Sequence, residues 1–259
     1  MKSNWFGAET IRRSPILGFP IAVTDYREAV AQVLRWAAQP DRPYLVAAAN
    51  THVITLTKLS ASFAETLSKF DLVLPDGMPL VWYLNHFRKA GLTDRVYGPE
   101  LMLRCFAAAR NGERHFLLGG TDEMREKMEK ALLRRFPGLG LVGGYSPPFG
   151  LWDRSEDDKI CRLIGQSGAG LVWLGLGCPK QEEFLARLKS HLAPAVYLAV
   201  GAAFPLISGT VRQAPPPLQK VGLEWAFRLL MEPRRLWKRY LLHNSLFLYY
   251  VTMELVRGS

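Results

Sequence analysis

A carboxylate, two amides, paired glycines and a row of guanidinium groups are the side chains of this 259-residue chain whose types and spacing could do chemistry. The carboxylate is Asp76, inside Leu72–Trp82, LVLPDGMPLVW. Phe70 to Leu74 reads as a buried strand, Pro75 lacks the N–H that would continue a ladder, and Gly77 permits a tight turn. Met78 onward resumes an apolar helical pattern. That order sets Asp76 at the carboxyl end of a strand, where open α/β sheets place ligands. An Asp before an apolar run is also a common helix cap. Asn50 follows the apolar stretch Tyr44–Ala48 and has the same two readings: its amide orients a sugar or phosphate, or it caps the next helix.

Gly119–Gly120 follows another buried strand and precedes a helix, a cradle for phosphate or ribose. It falls short of the full GxGxxG fingerprint, and no Walker pattern exists for ATP hydrolysis. In Trp173–Glu183, WLGLGCPKQEE, a strand ends in glycines and Pro179 opens a helix. Lys180, Gln181 and Glu182 then occupy its first turn, either facing a ligand or forming an ordinary polar start. Gly143–Gly150, GGYSPPFG, presents Tyr145 and Phe149 to stack on a base or to cover the core. Arg228, Arg235 and Arg239 lie at i, i+7 and i+11, one helix face if Pro233 keeps the phase, with Lys238 beside them. Guanidinium groups bind diphosphate bidentately and neutralise charge building on a leaving group. Phospholipid headgroups suit the same row.

The elements that must position these groups alternate. Helices are expected at Tyr26–Ala38, His52–Leu67, Met78–Leu84, Asp122–Phe136, residues 156–166 and Pro179–His191. Strands are expected at Tyr44–Ala48, Phe70–Leu74, His115–Leu118, Gly140–Val142, Gly170–Gly175 and Val196–Val200. This alternation predicts an α/β protein with a largely parallel, Rossmann-like sheet flanked by helices. From Arg212 the composition shifts: Pro215–Pro217 stiffens a linker, a helix runs from Leu218 to Met231, and a basic, aromatic helix follows Pro233. The division expected is an α/β catalytic core over residues 1–211 and a helical appendage over 212–259.

With 33 Lys and Arg against 23 Asp and Glu, the net charge of +10 points to an anionic partner. Arg212, Lys220, Arg228, Arg234, Arg235, Lys238 and Arg239 interleave with Trp225, Phe227, Trp237 and Tyr240, a mixture that favours a membrane surface. Nucleic acid has only the net charge in its favour and is not expected. Cys105, Cys161 and Cys178 have no metal-ligand spacing and are odd in number, as in a reducing cytosol. Met1–Thr10 has no apolar core of a secretory signal. The most apolar stretch, Tyr240–Val256, is interrupted by His243, Asn244 and Ser245, which suits lying in an interface rather than spanning it.

The blocks NTHVITL, LPDGMPLVW, RVYGPEL, FLLGG, GGYSPPF, LGLGCPKQE, VGAAF, APPPLQKVGLEW and EPRRLWKRY, from Tyr44 to Tyr240, resemble in order those of the WecG/TagA/CpsF glycosyltransferases, family 26. The resemblance implies an inverting transfer of a sugar from a UDP-sugar to a polyprenyl-diphosphate-linked saccharide at the cytoplasmic membrane face. N-acetylmannosamine, its uronic acid and glucose are the donor sugars it implies. It implies no metal or other cofactor, and a place in surface or exopolysaccharide synthesis. By the same resemblance Asp76 matches a catalytic base, and Asn50 and Gln181 match polar residues of the active site. Arg228, Arg235 and either Lys238 or Arg239 match arginines that close over the donor diphosphate. On that reading the appendage docks on the membrane and closes the site. Independently of the resemblance, an apolar sheet edge or helix face could support self-association.

Two positions depart from the pattern. Ala48 stands where Thr is frequent, and Pro205 stands where an Asp is expected on a strand after VGAAF to contact the nucleoside. A membrane-associated protein that binds a nucleotide sugar or lipid without catalysis is therefore the alternative. A nicotinamide-dependent oxidoreductase is disfavoured by the incomplete glycine fingerprint.

Overall fold

In the computed structural model, residues 11–257 are described, apart from 110, 111 and 151. Met1–Thr10, read above as lacking a secretory signal, lies outside them. The described chain opens with an antiparallel hairpin of β1 (Arg13–Ile16) and β2 (Phe19–Ala22). The sequence reading passed over this hairpin as a polar start, since its strands are four residues each and carry Pro15 and Pro20. In α1 (Tyr26–Ala38) the carboxylate of Asp25 accepts from the Glu28 N–H at 2.9 Å, and Ala29, Val30, Val33 and Ala37 face inward.

The expected helix from His52 to Leu67 is two helices. After β3 (Pro43–Ala49), α2 (Thr51–Leu59) and α3 (Ala61–Ser68) meet at Ser60. Its N–H donates to Leu56 O at 2.9 Å while its hydroxyl accepts from Phe63 N at 3.2 Å. Ser60 thus ends one helix and caps the next. Then come β4 (Leu72–Pro75), α4 (Met78–Arg88), α5 (Gly98–Ala108), β5 (Arg114–Gly119), α6 (Asp122–Arg135), β6 (Gly140–Tyr145) and α7 (Arg154–Ser167). The chain continues through β7 (Leu171–Gly175), α8 (Lys180–Leu188), β8 (Ala195–Ala199) and α9 (Ala203–Ile207). Gly143 to Tyr145 belongs to β6 rather than to the expected loop, and residues 203–207 form a helix where a strand was expected.

Six strands pair in parallel in the order β4-β3-β8-β7-β5-β6. Side chains alternate between the faces. Leu45, Ala47, Val172, Leu174 and Tyr197 pack under α2, α3, α4, α7 and α8. Val46, Leu171, Trp173, Val196 and Leu198 pack under α1, α5, α6 and α9. The connection after β5 leads outward to β6, whereas that after β7 leads the opposite way to β8. Such divergence opens a crevice at the carboxyl edge of a Rossmann-like sheet. Close backbone contact narrows its floor: a Cβ on Gly119 would lie 2.7 Å from the carbonyl carbon of Gly175.

Beyond α9, α10 (Pro216–Lys220) and α11 (Glu224–Met231) replace the single helix expected from Leu218. They break at Gly222, whose φ of +72° is a glycine conformation and whose missing side chain leaves room for Trp82. α12 (Pro233–Arg257) returns across the molecule onto α2. Thr51 donates to Asn244 Oδ1 at 2.8 Å, Thr55 donates to His243 O at 3.2 Å, and Phe247 is buried in the core.

Candidate active site

The strand ends β3, β4, β5, β7 and β8 and the helices α11 and α12 enclose one cavity of about 1560 Å³. Asp76, Asn50, Gly120, Lys180, Gln181, Arg228, Arg235 and Arg239 line it. Residues separated by up to 189 positions, Asn50 to Arg239, thereby share one space. Tyr145 does not line it: its hydroxyl donates to Glu156 at 2.6 Å, its ring faces the ammonium of Lys159, and the loop presents Ser146 to Gly150 instead. Lys238 also lies outside, its ammonium 5.5 Å from the ring of Trp237, and Gly119 serves the strand contact beneath.

Asp76 sits immediately after β4, anchored by its N–H to Ala49 O at 2.8 Å. It does not cap α4, whose N-terminus has no side-chain cap at all. Its Oδ2 accepts instead from Gly98 N, 3.4 Å away at the start of α5. Burial pushes its pKa up to about 6, with Arg95 and Arg228 pulling down and Glu224 pushing up. A carboxylate so placed is ionised at neutral pH yet close enough to neutrality to accept a proton. Asn50 caps α2, its Oδ1 accepting from His52 N at 3.1 Å and Val53 N at 3.3 Å. The capping reading of Asn50 describes this contact, and the residue lines the cavity as well.

Gln181 is buried in the first turn of α8, and its Nε2 donates to Glu182 at 2.9 Å. Its Oε1 has no hydrogen-bond partner, an acceptor held away from water at the cavity wall beside Gly201. Burial raises the pKa of the enclosed Glu182 to about 7. Lys180 turns toward the 146–152 loop, donating to Gly150 O and packing 3.5 Å from the centroid of Trp152.

On the facing wall the helix breaks at Glu232–Pro233, so Arg228 stands on α11 and Arg235 and Arg239 on α12. Glu232 sits between them, 3.9 Å from Arg228 and 2.6 Å from Arg235. The Nε atoms of Arg228 and Arg239 are buried without partners. Two further residues support this wall that the sequence reading did not single out. Arg95 forms a buried ion pair with Glu224 and lies 4.2 Å over the ring of Tyr97. Burial opposes charge on Arg95, but Asp76 and Glu224 outweigh it and raise its pKa. Among the described residues no group of three or more His, Cys, Asp or Glu could hold a metal ion.

A carboxylate opposite a cluster of arginines, across a crevice at a parallel sheet edge, is the chemistry of a group transfer with an anionic leaving group. Residues 14–259 match the model of the glycosyl transferase WecG/TagA/CpsF family. The chain belongs to this family. Its similar relatives include proteins of Staphylococcus aureus strains MW2 and NCTC 8325 / PS 47. Both are N-acetylglucosaminyldiphosphoundecaprenol N-acetyl-beta-D-mannosaminyltransferases, each 26% identical over 226 residues that cover 86% of this chain and 85% of theirs. The WecG/TagA/CpsF enzyme described here is thus a glycosyltransferase. Its two departures from the family pattern, Ala48 and Pro205, both fall on the lining of its cavity.

Proposed function

We propose that this protein transfers N-acetylmannosamine from its UDP-linked form to a saccharide carried on a polyprenyl diphosphate, with inversion at the anomeric carbon and without a metal. N-acetylmannosaminuronic acid and glucose are the other donor sugars of this reading. The observation that carries it is the single cavity with Asp76 on one wall and Arg228, Arg235 and Arg239 on the other. The nucleotide would lie over the Gly119–Gly175 crevice, its diphosphate toward the arginines. Asp76 would take the proton of the acceptor hydroxyl as that oxygen bonds to the anomeric carbon. The bond from that carbon to the diphosphate oxygen breaks, and its electron pair leaves with UDP. Guanidinium groups aimed at the departing diphosphate stabilise the charge that appears there. Gln181, with an unpaired acceptor, would receive an N–H or O–H of the donor.

The appendage over 212–259 would dock on an anionic membrane at the cytoplasmic face. No helix among the described residues is long and apolar enough to cross a membrane. Leu230, Trp237, Leu241, Leu242 and Tyr249 are exposed, and the basic residues Arg234 and Lys238 stand among them. That is the pattern of an element lying in the headgroup region.

The test is UDP release by purified protein with a lipid-diphosphate-linked N-acetylglucosamine acceptor and a panel of UDP-sugars. Turnover with one donor is the expected result, and no release with any donor favours the non-catalytic binding protein. EDTA is expected to leave the rate within twofold; a loss restored by Mg²⁺ would contradict the arginine-based mechanism.

A further inference from the structure

Gln181 and Glu182 stand side by side in the first turn of α8, both buried in the wall of the cavity. Elsewhere in the chain buried acids are balanced by an arginine, Asp157 by Arg187 and Glu224 by Arg95. Glu182 has no cation partner among the described residues. The Cys178 thiol lies beside it, its Oε2 makes no hydrogen bond, and its Oε1 accepts from Gln181 Nε2 at 2.9 Å. An unpaired carboxyl is costly to keep from water, so the bond it does make calls for a use. The two ends of a primary amide have nearly the same shape and opposite hydrogen-bonding character, so neighbours decide which end meets a ligand. Gly201, which also lies against this amide, does not decide: a Cβ there would be 3.7 Å from Nε2 and 3.8 Å from Oε1. Glu182 does. A carboxyl accepts through a C=O oxygen with or without its proton, so it takes the NH2 end and leaves the unpartnered Oε1 for a ligand.

We propose that Glu182 is a positioning residue for the donor sugar: through its bond to Gln181 it fixes that amide as a hydrogen-bond acceptor, and so selects a sugar that presents an O–H or N–H at this point. The inference rests on the function proposed above and deepens it by naming the residue that sets what Gln181 can recognise. An acid of purely structural use in a first turn caps its helix or pairs with a base one turn on. α8 has no side-chain cap, and the residues three and four on from Glu182 are Leu185 and Ala186.

Calorimetry with UDP-N-acetylmannosamine and with UDP tests this on the full-length protein. UDP lacks the sugar, so its affinity registers general damage to the fold. Glu182→Met, apolar and similar in volume, is expected to lower the ratio of the two affinities about tenfold, the worth of one hydrogen bond in a buried site. Exchange of an unpaired buried carboxyl for an apolar side chain is tolerated by a fold, and Glu182→Leu gives a second reading of the same loss. Glu182→Gln, whose carbonyl oxygen can accept the same bond, is expected to recover the wild-type ratio to within about threefold. Gln181→Ala should show the same loss as Glu182→Met, and the double variant no more than either, because both act through one contact. A ratio unchanged in Glu182→Met and Glu182→Leu, or losses that add in the double variant, overturns the assignment. Wild-type turnover with such an unchanged ratio leaves the transferase reading standing without it. If the ratio behaves as expected but no UDP is released with any lipid-linked acceptor, the positioning role stands and the transferase reading falls.

Discussion

At the scale of single residues the site turns on how one carboxyl group is held. Asp76 has a pKa of about 6 because burial outweighs the pull of Arg95 and Arg228. A base works only when ionised, so the rate should fall as pH drops through about 6 and level off above it. A pH profile of kcat/KM with its acid limb near 6 checks this. Asp76→Asn should cost about 10²–10⁴-fold in kcat, while UDP affinity, read by calorimetry, changes less than threefold. A mutant of near-normal rate would remove Asp76 from the role of base. The sequence made Asp76 conspicuous because strand, turn and helix signals flank it within a dozen residues. It gave no such sign for Arg95 or Glu224. Their blocks were visible, but their partnership spans 129 positions and has no local period to reveal it. Tyr145 shows the converse, since its strand setting turned it away from the cavity that its glycine-rich neighbourhood suggested.

Among the elements, the strands and longer helices were legible and the short breaks were not. Buried strands announce themselves as apolar runs between turn residues, and α1 and α6 as periodic faces. Ser60 and Gly222 each end a helix by a local hydrogen bond or backbone angle, which periodicity alone does not show. The Gly222 break matters for the site because it lets α11 swing Glu224 and Arg228 over Asp76. The Arg95–Glu224 pair fixes α11 there, both partners shielded from water. Glu224→Ala should destabilise the protein by about 3 kcal/mol, the low end for breaking a buried pair, since Asp76 still faces Arg95. Denaturant melts check the stability. A loss below 1 kcal/mol would show that α11 is held by packing alone.

For the whole molecule, the parallel sheet supplies a fixed edge and the C-terminal helices supply the opposite wall. α12 is tied to α2 through Thr51–Asn244 and Thr55–His243, so the wall is seated on the core rather than hanging from a linker. Charge and apolar surface gather on its outer side. Arg234→Glu with Lys238→Glu should weaken co-sedimentation with anionic vesicles by roughly thirtyfold or more, at about 1 kcal/mol for each cation removed near the surface. Raising the salt should have a similar effect on the wild type. Binding that ignores both changes would count against an electrostatic contact. The composition had signalled an anionic partner, but only the fold separates the arginines that face the cavity from the basic residues that face outward.

Glu232 carries a consequence for the tempo of the reaction. Lying at the helix break, it already neutralises Arg228 and Arg235 from within the chain. In the reaction proposed above, a diphosphate arriving there would exchange one counterion for another, so its net affinity would be a difference between two ion pairs and not the sum of new ones. The same carboxylate would be on hand to reclaim the arginines when the spent nucleotide leaves. Glu232→Gln should therefore tighten UDP binding several-fold and, where product departure limits turnover, slow the steady state while sparing the first turnover. Burst kinetics would read both at once. On that proposal, tight grip and quick release, which pull against each other in an anion site, would be reconciled by a competitor built into the protein.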